Sequence, residues 1–458
     1  MSNAVTPPMF SPIFARVVRP LFALAALAFV AVSCHGATPA AASAATPAPK
    51  VALGIDVLEA QNFDILKGKR VGLLTNQAGV NSRGVSTIDV LRRAPNVKLV
   101  ALYGPEHGIN ANIIAGVGVD STKDPRTGLP VYSLYGDGKR RPTPAILKDI
   151  DVMVVDLQDI GTRSYTFVSC LRYTMEACFE LGKTVVVLDR PNPLGGLKVG
   201  GPIIEPSLMS YVGAYPVPYV HGLTIGELAK MAKDNPGWLK GPDEKQPMSE
   251  AVRKSGQLIV VPMRGWRRSM LWPDTGLKWV GTSPNIPSVE AAFGYALVGL
   301  GGEIGNFSHG VGTPKPFRLL NFSADGVPEH SMPAAQLAAA MQAKNLAGLD
   351  FTVIKYKDDV GKERSGVYVG IRDWNAVEPT KVAFVMMQLA AVWSAKGNPF
   401  NDQAKKAEIF RKEVGSTAWW DQITDKGARI DVDAFFKKWH ADAAAFQETS
   451  KKWWLYQP

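Results

Sequence analysis

The chain has 458 residues, 46% hydrophobic and 20% charged, which excludes a disordered or wholly membrane-embedded protein and leaves room for two domains. Its formal net charge of +10 favours anionic surroundings such as lipid headgroups or wall polymers. The basic residues form no concentrated stripe, so nucleic acid is not an expected partner.

Residues 1–34 read as an export signal. Arg16 and Arg19 precede the apolar run Leu21 to Val32, which is short for a transmembrane helix and suits a signal peptide. The run ends at Ser33-Cys34, which resembles a bacterial lipoprotein signal with Cys34 as the lipidated new N-terminus. Ordinary cleavage near Ser33 or Ala37 is the competing reading. The expectation is an exported, periplasmic protein anchored to the membrane through Cys34. Residues 35–50 are rich in Ala, Pro, Ser and Thr, lack core-forming side chains and read as a disordered tether.

From Val51 onward, short apolar runs alternate with helical segments. Arg70 to Leu74 reads as a strand ending in Thr75-Asn76-Gln77, and Ser86 to Leu91 as a helix opened by a Ser or Thr cap. Val97 to Leu102 is a second buried strand, ending at Gly104-Pro-Glu-His-Gly108. Pro130 to Leu134 reads as an edge strand, Asp151 to Val155 as a buried one ending at Asp156-Leu-Gln-Asp159, and Thr184 to Leu188 as another ending at Asp189-Arg190. This alternation predicts a Rossmann-like, doubly wound α/β sheet, whose ligands lie beyond the carboxyl ends of the strands. No Gly-x-Gly-x-x-Gly follows the first strand, so a dinucleotide is not indicated; no cofactor is expected.

Cys170 and Cys178 lie eight apart in a predicted helix, Phe167 to Leu181, so about 12 Å separates them and no disulfide forms. No Cys or His spacing resembles a structural zinc site, and no metal is expected.

The chemistry points to Glu106. Glycosidic cleavage needs a carboxylic acid to protonate the leaving oxygen and a second group at the oxocarbenium-like centre, and Gly104 and Gly108 let the backbone bring Glu106 close to a ligand. An ordinary loop carboxylate is the alternative. Asp156, Asp159 and Arg163 follow within one turn. Arg163 either holds an acidic ligand by a bidentate contact or neutralises the two aspartates. His107, His221 and His309 each precede glycine, and each either meets a sugar hydroxyl or serves as a structural hydrogen-bonding residue. Thr224 and Glu227 form a capping box after His221. Trp266, Trp272 and Trp279 alternate with arginines, a pattern that fits sugar stacking or a core. In the C-terminal half, Phe351 to Ile354 and Ser365 to Ile371 read as strands, and Thr380 to Trp393 and Asp433 to Trp454 as helices. A charged helix, Ala404 to Val414, reads as a solvated face.

Seven ordered motifs carry a resemblance: Leu73 to Val80, Gly104 to Ile109, Thr127 to Tyr135, Asp156 to Arg163, Leu188 to Pro193, His221 to Leu228 and Ser283 to Pro287. Together they resemble the exo-β-N-acetylmuramidase family, long described as a domain of unknown function, from about Leu53 to the closing Leu455-Tyr456. The resemblance implies a Rossmann-like N-terminal domain, a smaller C-terminal α/β domain and a cleft between them. It further implies release of N-acetylmuramic acid from the non-reducing end of peptidoglycan fragments, with Glu106 as the catalytic residue. Two departures touch the cleft. Asn110-Ala111 stand where the family pattern has Arg-Gly, and in the stretch from Glu303 through Asn306 and Ser308 to Thr313, His309 replaces a glutamate and Val311 an arginine.

The expected organisation is a Rossmann-like catalytic domain over 51–281 and a C-terminal domain over 282–458. Glu106 is expected as general acid or base, with Asn76, His107, Asp156, Asp159, Arg163, His221, Glu303 and Asn306 binding the substrate. A non-catalytic peptidoglycan-binding lipoprotein and an exo-hydrolase of another amino sugar are the alternatives.

Overall fold

The apolar runs of the N-terminal half become strands because their side chains alternate between two apolar faces. Val71, Leu73, Leu102, Val154, Val186 and Leu188 pack on one face with Ile55, Leu58 and Leu91. Their neighbours Leu74, Tyr103, Met153, Val155, Val185 and Val187 pack on the other with Phe167, Leu171 and Leu228. A strand's period of two sends successive residues to opposite faces, so a run with no polar residue is buried on both sides. These features are seen in a computed structural model that describes residues 50–458 apart from 114, 115, 119, 120, 137, 139, 359, 402 and 403. Cys34 and the stretch expected to be an export signal lie outside the described residues.

The strands run β1 (Arg70–Thr75), β2 (Lys98–Gly104), β3 (Thr122–Lys123), β4 (Pro130–Ser133), β5 (Val152–Asp156), β6 (Thr184–Leu188), then a hairpin of β7 (Gly200–Ile203) and β8 (Pro218–Val220), then β9 (Leu258–Val261). The main sheet has seven strands in the order β3-β4-β2-β1-β5-β6-β9, all pairs parallel except β3 with β4. The chain leaves β1 in one direction through β2 and β4 and returns to add β5, β6 and β9 on the other side. The switch point therefore lies between β1 and β5, where open α/β sheets bind ligands. Two details correct the sequence reading: β4 is second from the edge, covered by β3, and β9 completes the far side from a stretch not singled out as a strand.

The C-terminal half builds a four-stranded antiparallel sheet, β10 (Phe307–Ser308), β11 (Leu319–Phe322), β12 (Leu349–Lys357) and β13 (Glu363–Ile371), in the order β10-β11-β13-β12. Helices Lys381–Trp393, Thr417–Lys426 and Val432–Ser450 contribute Phe384, Trp419 and Trp439 to the same apolar cluster that covers the second face of the large sheet. The last long helix stops at Ser450, and a short 3-10 turn follows over Lys451–Trp453. The two sheets fall on either side of the expected boundary at 281/282, while the core is continuous across it.

The chain end is stitched into the first sheet. The Tyr456 hydroxyl donates to Asp189 Oδ2 at 2.5 Å and accepts from the Met263 amide. The Leu455 amide donates to Glu227 Oε1, and Glu227 forms a buried ion pair with Arg268 at 2.7 Å. Thr224 and Glu227 make the expected capping box at the helix Ile225–Asp234. Trp266 meets Tyr456 edge-on and Trp272 meets Trp279 edge-on; Trp266 and Trp272 are buried, so these tryptophans belong to the core. Cys170 and Cys178 are free, buried thiols.

Candidate active site

Glu106 sits just past β2, beside the switch point. Its carboxylate accepts the Gly116 amide at 3.0 Å on Oε1 and the Thr166 hydroxyl at 2.6 Å on Oε2. Thr166 opens the helix Thr166–Glu180 that follows β5, so the end of β2 and the start of that helix grip one side chain. Gly116 is brought there by a turn that His107 organises. His107 adopts φ 70°, its Nδ1 donates to the Ile113 carbonyl at 2.7 Å, and its own carbonyl accepts the Ile113 amide. Tyr135 lies just past β4, and burial followed by the Glu106 charge raises its pKa, with Arg140 opposing. Arg140 lies 4.7 Å from the ring centre of Tyr211, whose buried hydroxyl has no partner among the described residues.

Asp159 and His221 face each other across the same loop cluster. The Gly161 amide holds Asp159 Oδ2 at 2.8 Å, and His221 Nε2 stands 3.5 Å from that oxygen. His221 Nδ1 accepts the Leu223 amide, which places the proton of a neutral ring on Nε2, towards Asp159. Asp159 Oδ1, His221 Nε2 and Gln158 Oε1 are buried without a partner among the described residues. Buried polar atoms are normally paired, so these are free to meet a ligand's hydroxyl or amide groups.

A third group comes from the C-terminal half. Glu303 Oε2 is buried without a partner among the described residues, and burial followed by the Glu303 charge raises the Glu413 pKa. His309 lies beside Glu303, stacked on Phe317 at 5.4 Å, with both ring nitrogens buried and unpartnered. Burial lowers its pKa against the opposing Glu303 charge, which keeps the ring neutral. Gly302 makes room for it: a Cβ there would stand 1.9 Å from His309 Nε2. No group of three or more His, Cys, Asp or Glu among the described residues is arranged to hold a metal ion.

Several sequence expectations are corrected here. Arg163 neither reaches a ligand nor neutralises the aspartates. It is fully buried and donates to the backbone carbonyls of Pro202, Val217, Glu413 and Val414, and burial pushes its pKa down to about 10. Asp156 is also wholly buried. Arg190 binds it bidentately at 2.6 and 2.9 Å and Thr87 donates to the same carboxylate, so its lone pairs are used within the frame of the sheet. Asn76 forms a turn with the Ala78 amide and donates to the Thr282 carbonyl, fixing the end of β1 to the segment entering the C-terminal half. Asn306 is exposed and lines a separate cavity of about 640 Å³ with Asn321, Tyr356 and Arg364. Val311 is exposed. Ala111, where the family pattern has glycine, is held at φ 47°, a conformation that glycine adopts without strain.

Thr166, Tyr135, Tyr211 and Glu413 were not singled out from the sequence. Thr166 had a signal, as a hydroxyl at the first turn of the helix after a strand whose end is polar. Glu413 had none of that kind, because its helix is charged along its length.

The sequence matches two modules described as exo-β-N-acetylmuramidase NamZ, the N-terminal one over residues 71–290 and the C-terminal one over residues 293–456. It is 38% identical over 433 residues to the peptidoglycan β-N-acetylmuramidase NamZ of Bacillus subtilis strain 168, covering 93% of this chain and 97% of that protein. Among solved structures it is similar to two DUF1343 family proteins of Bacteroides fragilis. One has a TM-score of 0.76 at 39% identity, covering 90% of this chain and all of the other. The second has a TM-score of 0.62 at 25% identity, covering 89% and 99%.

Proposed function

Because the chain belongs to the exo-β-N-acetylmuramidase NamZ family, we propose that it is an exo-acting glycoside hydrolase. It releases β-1,4-linked N-acetylmuramic acid from the non-reducing end of peptidoglycan fragments. The observation that carries the reading is the position of Glu106 beside the switch point, gripped by the Gly116 amide and the Thr166 hydroxyl, together with the unpartnered atoms of Gln158 and Asp159 after β5 and of His221 after β8. A carboxylate in fixed geometry beside free polar groups is what cleavage of a polyhydroxylated substrate requires. The same reading places the enzyme outside the cytoplasm, tethered through a lipidated Cys34 and residues 35–50, where wall fragments are met.

The test is release of free N-acetylmuramic acid from the disaccharide muramyl-β-1,4-N-acetylglucosamine by residues 50–458, beside Glu106→Gln. The glutamine keeps the shape and loses proton transfer, so the rate should fall about 1000-fold. Binding of the disaccharide without release by the unaltered protein would replace the hydrolase with a receptor.

A further inference from the structure

One face of the C-terminal sheet carries a cavity of about 640 Å³, inside the range of about 300–1,000 Å³ typical of small-molecule sites. Strand register builds its floor. Ser308 stands opposite Asn321 across β10 and β11, and Tyr356 opposite Arg364 across β12 and β13. Residues directly opposite in an antiparallel pair share a face, and the Asn321 amide donates to the Tyr356 hydroxyl at 3.3 Å, which joins the two pairs into one surface. The wall is the segment 323–334. The Met332 amide fastens it to the Phe322 carbonyl at 2.7 Å, and the Ser323 amide to the Asn306 carbonyl at 3.0 Å. A Cβ on Gly326 would stand 3.2 Å from Asn306 Oδ1, so the glycine lets the wall close on that side chain. The lining comes wholly from the C-terminal half and includes none of the groups described around Glu106.

The charges of this lining are already matched. Arg364 Nε donates to Asp358 Oδ2 at 3.0 Å, Arg364 Nη2 stands 3.9 Å from Glu329 Oε1, and Lys355 Nζ pairs with Glu363 at 2.9 Å. Because Glu329, Asp358 and Glu363 line the cavity with Arg364, an anionic ligand is repelled, and because each carboxylate has a partner, a cation gains little. What remains for a ligand is neutral: the exposed Asn306 amide and the exposed Ser308 and Ser365 hydroxyls, beside the Tyr356 ring and the apolar Met332 and Pro333. Hydroxyl and amide groups around an aromatic ring and a small apolar patch match a pyranose that carries an acetamido methyl.

We propose that this cavity is a second saccharide site, occupied by an uncleaved N-acetylglucosamine unit of a peptidoglycan fragment. N-acetylmuramic acid is disfavoured there, because its lactyl carboxylate would face Glu329, Asp358 and Glu363. The site holds the fragment and neither makes nor breaks a bond. It therefore goes beyond the hydrolase reading and depends only on peptidoglycan as the substrate. A fragment held at a second point stays with the protein longer than one held at the catalytic site alone.

The probe is a β-1,4-linked N-acetylglucosamine tetramer, which contains no muramic acid, titrated into residues 50–458 by calorimetry. Tyr356→Ala should weaken its binding at least about tenfold. Tyr356→Phe keeps the ring and loses only the Asn321 contact, so it should cost less than about threefold, and Glu106→Gln less than about twofold. N-acetylmuramic acid, which meets the catalytic site alone, should bind Tyr356→Ala and the unaltered protein equally. Absence of tetramer binding, or tetramer binding weakened by Glu106→Gln and not by Tyr356→Ala, would overturn the proposal. Equal loss of tetramer and N-acetylmuramic acid binding in Tyr356→Ala would overturn it too. An unaltered protein that binds the tetramer through Tyr356 yet releases no N-acetylmuramic acid from the disaccharide would remove the hydrolase reading and leave this site standing.

Discussion

Replacing Arg163 with methionine removes a guanidinium that donates to four backbone carbonyls, three of them in fully buried contacts. A buried acceptor left without its donor costs about 1–3 kcal/mol, so the gross loss is about 5 kcal/mol. Against this stands the cost of burying the charge. The Arg163 pKa is pushed down from 12.5 to about 10 by burial, equivalent to about 3 kcal/mol that an apolar side chain recovers. The net destabilisation is about 2 kcal/mol, and with an unfolding entropy near 0.8 kcal/mol/K for roughly 400 residues the midpoint falls by about 2–3 °C. Arg163→Lys keeps the buried charge but lacks the planar fork that serves four acceptors, so it should melt below the methionine variant. Both should lose disaccharide cleavage by at least tenfold, because Arg163 anchors the loop that begins at Asp159. Scanning calorimetry together with the release assay checks this. A lysine variant that melts with the wild type and cleaves normally would refute the four-carbonyl account.

Thr166→Val deletes one of the two donors to Glu106 and should lower kcat about 10- to 100-fold with little change in KM, read by steady-state kinetics on the disaccharide. Asp189 is held up to about 6, chiefly by burial, with the Tyr456, Thr224 and Gly226 donors opposing and Glu227 reinforcing. Its folded pKa exceeds the unfolded value of about 3.9, so protonation stabilises the fold; that contribution is complete below about pH 4 and lost as pH rises through 6. Wild-type stability should therefore fall by up to about 3 kcal/mol between pH 4 and pH 7, and Asp189→Asn should remove that pH dependence, read in denaturant titrations at each pH. Cys34→Ala in the full chain should move the protein from the membrane fraction to the soluble periplasmic fraction, and retention at the membrane would point to another anchor.

The strands carrying the site were legible because runs such as Val152 to Val155 and Thr184 to Leu188 contain too little polarity for anything but a doubly covered sheet, and their polar ends are where a switch point offers access. Glu106 was legible for the same reason. Arg163 and Asp156 were named from proximity in sequence, which does not say which way a side chain turns. The former runs away from the aspartates to carbonyls up to 251 residues distant, and the latter is consumed by Arg190 across the sheet. Glu413 was hidden because a charged helix announces its solvated face: Lys412 pairs with Glu408 on that helix, while the Glu413 carbonyl is taken by Arg163. The Gly415-Ser416 pair was the available trace of the turn there, since glycine supplies the left-handed bend and serine caps the next helix.

The closing Leu455-Tyr456 is a late arrival in a structure that depends on it. Tyr456 bridges Asp189 and Met263, in a contact spanning 267 positions of sequence to Asp189. The sheet that carries Glu106 consequently cannot reach its finished state until Leu455 and Tyr456 have been synthesised, since its last hydrogen bonds are made by those residues. Trimming a handful of residues from the far end should loosen the first sheet sooner than the nearer C-terminal one.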